Sequence, residues 1–92
     1  MKYSVFYPTK ISEIPDIYND IIDVCVTLEN GKTYTLVFIT PANLEEMMKK
    51  DGLSYVDPYF KFIVIECISE SILDAVIKNL VSDEHLLHEY GS

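Results

Sequence analysis

Arginine and tryptophan are absent from this chain, and its three glycines are scattered at Gly31, Gly52 and Gly91. Glycines this far apart cannot build a loop that cradles phosphate, so the nucleotide-binding motifs are excluded. Cysteine is equally sparse. Cys25 and Cys67 each lie inside an apolar, strand-like run, where a cysteine ordinarily serves as a small buried hydrophobe. The N-terminus has no charged-then-apolar leader pattern, and with so few cysteines a reducing, cytoplasmic setting is expected. The apolar runs are short, far below the roughly 20 residues of a membrane-spanning helix.

Positive charge is the scarcest commodity. Seven lysines face 15 acidic side chains, for a net charge of -8, and the lysines form no cluster. Such a surface repels phosphate backbones. Nucleic acid and anionic lipid are therefore poor partners, and a basic protein is a good one.

What is present is apolar patterning. Apolar residues make up 49% of 92 residues, enough for one modest core, and the whole span 1–92 reads as a single domain. The segment from Lys2 to Tyr7 is rich in β-branched and aromatic residues and stops at Pro8, which predicts a first strand. Residues 8–20 carry Pro8 and Pro15 among Ser, Asn and Asp, a loop with room for one helical turn after Pro15.

From Ile21 to Thr40, two β-rich segments flank Glu29-Asn30-Gly31-Lys32. Asn-Gly suits the two positive-φ positions of a type I′ turn, which predicts a two-residue hairpin. Counting outward sets Leu28, Val26, Val24 and Ile22 opposite Thr33, Thr35, Val37 and Ile39. Asp23 then shares the other face with Phe38, and Cys25 with Leu36. Neither face of that hairpin is purely polar.

Thr40-Pro41 is a helix start. The helix is predicted to run to Asp51 with Leu44, Met47 and Met48 as its apolar stripe, Glu45–Lys49 and Glu46–Lys50 as charge pairs, and Gly52 as its left-handed stop. Phe60 to Cys67 is apolar on both faces, the pattern of a strand interior to its sheet. Ser69 caps a further helix carrying Ile72, Leu73, Val76, Ile77 and Leu80 at helical spacing. Asp83 caps Glu84 to Tyr90, and residues 83–92 are expected to form a loosely docked tail. The predicted fold is α+β, a two-layer sandwich in the order β-β-β-α-β-α, with a mixed or antiparallel sheet of about four strands and two helices on one face.

Chemistry-bearing constellations are few. His85 and His88 have a nonspecific His-x-x-His spacing and lack the H-E-x-x-H order; intrahelical pairing of Glu84 with His88 and of His85 with Glu89 accounts for them. No metal or cofactor is expected. Neither cysteine has a basic neighbour in sequence to activate it, and no second carboxylate or histidine is placed to work with Asp23. An enzyme is not expected.

The segment from Asp51 to Tyr59 is the stretch best suited to function. Tyr55 and Tyr59 are interface-type side chains, and Asp51 and Asp57 suit the steering of a basic partner. Asp23, interrupting an apolar strand, is a further candidate contact. The layout resembles that of many short bacterial proteins and carries no diagnostic motif. The expectation is a small acidic protein-binding module, immunity-protein- or antitoxin-like, that neutralises a basic protein by occlusion. The alternative is a homodimeric structural or regulatory protein, with Cys25, Leu36 and Phe38 buried between copies.

Overall fold

The computed structural model describes residues 2–91. It has four strands, β1 (Tyr3–Phe6), β2 (Ile21–Leu28), β3 (Thr33–Ile39) and β4 (Phe62–Val64), and three α-helices, α1 (Pro41–Asp51), α2 (Glu70–Ser82) and α3 (Glu84–Tyr90). The sheet is mixed, in the order β1-β2-β3-β4. β1, β2 and β3 are antiparallel neighbours, and β4 joins β3 in parallel through the α1 crossover. The fold is thus α+β, in the order read from the sequence. No helix among the described residues is long and apolar enough to cross a membrane.

The hairpin register departs from the predicted one by a single residue. Val24 lies opposite Leu36, Ile22 opposite Phe38 and Val26 opposite Tyr34. The turn is the cause. Gly31 N–H donates to Leu28 O at 2.9 Å and Leu28 N–H to Lys32 O at 2.8 Å, enclosing Glu29, Asn30 and Gly31 as a three-residue loop. Only Gly31 has positive φ, at 88°, so Leu28 to Gly31 is a type I turn followed by a glycine bulge. Asn30 Oδ1 accepts from Lys32 N–H at 3.0 Å and holds the loop.

That slip sorts the side chains by face, because strand side chains alternate. Ile22, Val24, Val26 and Leu28 now share one face with Tyr34, Leu36 and Phe38, all buried. α2 closes over them with Leu73, Ile77, Leu80 and Val81. α3 adds Leu87, fully buried, with its start capped by Asp83, whose carboxylate accepts from His85 and Leu86 N–H. Gly91 ends α3 against Tyr34, where a Cβ would stand 2.7 Å from the tyrosine's own Cβ. Leu36 and Phe38 thus belong to the interior, which removes them from the dimer surface expected from the sequence.

The two helices predicted to share one face are divided between the two: α2, joined by α3, covers the face of Val24 and Leu36, whereas α1, tied to the strand end at Ile39, lies against the other beside Ile21, Phe62 and Val64. Ile39 is fully buried yet stands apart from the main cluster. Its row neighbours are Ile21 and Val64, and grooves beside α1 are bounded by Ile21 on one flank and Val64 on the other. α1 follows Ile39 directly and crosses over that end of the sheet. It buries none of its residues fully; Leu44, Met47 and Met48 are half-buried.

Thr40 does occupy the N-cap, with Pro41 behind it, but its hydroxyl does not cap the helix. It accepts from Asp20 N–H at 3.1 Å and donates to Asp20 O at 3.3 Å, tying the helix start to the entry of β2. Glu45 and Lys49 pair at 2.9 Å, whereas Glu46 accepts from Asn19 at 2.9 Å instead of meeting Lys50. Gly52 ends the helix at φ 65°, and Leu53 N–H returns to Met48 O at 2.8 Å. The one helical turn of the 8–20 loop falls at Ile11–Glu13, before Pro15, and a hydrogen-bonded turn from Asp16 to Asn19 follows it.

β4 is an edge strand of three residues and not an interior one. Its apolar character on both sides has another cause. Ile63 lies beside Phe38 and packs on the core, whereas Phe62 and Val64 continue the rows of Val37 and Ile39 on the opposite face.

Candidate functional site

The face of the sheet away from α2 can be written as rows running across the strands. Phe6, Cys25 and Thr35 form one row, Asp23, Val37 and Phe62 the next, and Ile21, Ile39 and Val64 the last. α1 seals Ile39 in the third row, with Ile21 and Val64 on its flanks still partly in water, and does not reach across the first row. Phe6 is 66% exposed, and Asp23 is exposed as well. Asp23 stands on a central strand opposite Val37, not opposite Phe38 and not at a sheet edge.

The 53–60 loop borders this face where it leads into β4. Asp57 shapes it: its Oδ1 accepts from Tyr59 N–H at 2.9 Å, and its carbonyl accepts from Phe60 N–H at 2.9 Å, an Asx turn that reverses the chain ahead of Pro58 and Tyr59. Phe60 and Phe62 flank a tight turn closed by Phe62 N–H donating to Phe60 O at 2.9 Å, and their rings stack with centroids 5.7 Å apart and planes 10° from parallel. Tyr55 and Tyr59 stand out at 68% and 85% exposed, and Phe60 at 58%.

Between this loop and α1 lies a recess of about 320 Å³, walled by Met47, Tyr55, Phe60 and Phe62 with Asp51 and Asp57 on its lining. Four of the five residues nominated from the sequence thus lie in or beside one loop, and three of them, Asp51, Tyr55 and Asp57, line one recess. Asp23 lies in the row of Phe62, two strands away. Sequence reasoning passed over Met47, Phe60 and Phe62. The signal available was the pair of phenylalanines on either side of Lys61, directly after the loop already nominated. A second groove of about 520 Å³, on the Val64 flank of α1, is walled by Leu44, Met48 and Leu53 and is almost wholly apolar.

The remaining polar candidates do not converge. Cys25 is half-buried with its Sγ 3.8 Å from Thr35 Oγ1, and Cys67 is buried. The α3 histidines do not make the intrahelical pairs expected of them. His88 Nδ1 lies 3.4 Å from the Tyr34 hydroxyl with the two rings edge to face, and Glu89 accepts from Lys61 Nζ at 2.9 Å. That pair holds the Lys61 ammonium above its ordinary range and the Glu89 carboxyl below its own, through the hydrogen bond first and the charge second. Tyr7 donates to Asp74 at 3.5 Å, and burial, then the Asp74 and Glu70 charges, raise its hydroxyl above the ordinary value. Among the described residues no three His, Cys, Asp or Glu side chains are grouped to hold a metal ion. No family model, curated protein or solved structure matches the chain.

Proposed function

We propose that this protein is a binding module for a basic protein, docking through the open sheet face and the 53–60 loop and acting by occlusion, in the manner of an immunity protein or antitoxin. One observation carries the reading: exposed aromatic side chains on the open face (Phe6) and beside the recess that borders it (Tyr55, Phe60) stand with Asp23, Asp51 and Asp57. Aromatic anchors supply contact area at low entropy cost, and carboxylates around them attract a cationic surface over several ångströms. The chain's net charge of -8 acts in the same direction at longer range. No catalytic activity is proposed, and the setting is a cytoplasmic one.

The alternative, a homodimer through the same face, is favoured by the exposure of Phe6 and Val64. Self-association there brings two acidic faces together, which electrostatic complementarity opposes.

The test is kinetic. A basic partner captured at low salt is expected to associate at a rate that falls steeply as salt rises, and Tyr59→Ala should speed its dissociation. An association rate indifferent to salt counts against the proposal. Sedimentation at micromolar concentration separates the alternative, since a strict monomer removes the dimer.

A further inference from the structure

The recess between α1 and the 53–60 loop has a composition that the apolar groove on the other flank lacks. It is lined by the aromatic residues Tyr55, Phe60 and Phe62, by Met47, Leu53 and Val56, and by two aspartates, Asp51 and Asp57. No basic residue lines it. The lysines closest in sequence are otherwise placed: Lys61 is bonded to Glu89 at 2.9 Å, and Lys50 lines a separate recess with Asn43 and Glu46. The Asp57 side chain uses Oδ1 to hold the loop, which leaves its second oxygen for a ligand. A volume of about 320 Å³ is at the lower end of the range for small-ligand sites, and so suits one side chain better than a folded surface.

From these features we infer that the recess takes a guanidinium group, the side chain of an arginine presented by the partner. This rests on the docking proposed above and names its anchor. A planar cation gains twice here. Its face stacks on the aromatic rings by cation–π attraction, and its edge donates to carboxylates, a combination that an ammonium, compact and strongly hydrated, meets less well. The chain itself contains no arginine, so the group comes from another molecule and not from a second copy.

The experiment is a titration of the full chain, followed by amide NMR, with the blocked peptide acetyl-Gly-Arg-Gly-amide and with its citrulline counterpart, which keeps the shape and loses the charge. Saturable shifts concentrated on residues 47–62 are expected for the arginine peptide, with citrulline binding at least about tenfold more weakly. Asp51→Asn with Asp57→Asn should weaken arginine binding by a similar factor. Asparagine retains the oxygen that accepts from Tyr59, and an otherwise unchanged spectrum verifies that the loop persists. Tyr55→Ala should weaken it several-fold without altering net charge. Equal binding of citrulline, shifts spread equally over Glu70, Asp74 and Glu84, or undiminished binding by the double variant would each overturn the inference. If arginine fails to bind while a basic protein still docks with steep salt dependence, the anchor is wrong and the docking reading survives. Arginine binding in the recess with salt-independent partner association is the reverse case.

Discussion

The two faces of one sheet are finished to different degrees. Toward α2 and α3, Val24, Val26, Leu36, Phe38, Leu73, Ile77 and Leu87 are all fully buried. Toward α1, Ile39 is sealed, but the helix above it buries no residue fully, and Phe6, Phe60 and Tyr55 remain in water. Stability is therefore concentrated on the first face, and apolar surface free for a partner on the second. A small domain has only enough helix to close one side completely, and the side left incomplete is the one that can bind.

The comparison can be broken most forcefully from the closed face. Phe38→Ala removes a fully buried ring between two layers and should cost about 3–5 kcal/mol, read by urea denaturation; a loss comparable to that of an α1 variant would erase the contrast. Leu87→Ala should cost about 2–4 kcal/mol, because Leu87 anchors α3 on the core; a negligible change would show that α3 is an appendage. On the open face, Met47→Ala should cost only about 1–2 kcal/mol, since that side chain is incompletely buried, while weakening partner binding through the recess it lines. Amide exchange should likewise be slower in β2 and β3 than in α1.

Smaller effects sharpen the picture at the ends of the strands. Gly31→Ala, at φ 88° with open space around it, meets no steric clash and only the backbone penalty; about 1 kcal/mol is expected from thermal unfolding. The Lys61–Glu89 pair, which ties the entry of β4 to α3, should have the smallest effect because both groups are exposed and screened. The depressed Glu89 pKa contributes stability that is present above the unfolded value and lost as pH falls through the folded one. The raised Lys61 pKa contributes stability present below its unfolded value and lost as pH rises through the folded one. The pair is thus intact across the neutral range. Lys61→Met should return the Glu89 titration midpoint toward the ordinary range in a carboxyl-detected NMR titration.

Element order was legible in the sequence because each helix carries its own boundary signals. Pro41 and Gly52 bracket α1, Ser69 precedes α2 and Asp83 caps α3. Hairpin register was misread because Asn30-Gly31 suits two different turns, and the local dipeptide was preferred over the alternation of the flanking strands. Ile22, Val24, Val26 and Leu28 face the same way as Leu36 and Phe38 only when the loop has three residues. β4 was misplaced because an apolar segment looks the same whether two layers of helix cover it or two strands flank it. The loop residues Asp51, Tyr55, Asp57 and Tyr59 could be nominated from chemistry, but that three of them enclose a recess with Met47 and Phe62 depends on where α1 crosses the sheet.

The amino-acid sequence by itself determined the order of the strand and helix segments, the Asp83 cap of α3 and the acidic character of the chain, all of which depend on residues near one another or on composition alone. Tertiary structure alone decided the register, the edge position of β4, the docking of α3 and the pairing of an open aromatic face with aspartates. Those depend on contacts between residues distant in the chain, and such contacts are selected by which apolar faces can be buried together.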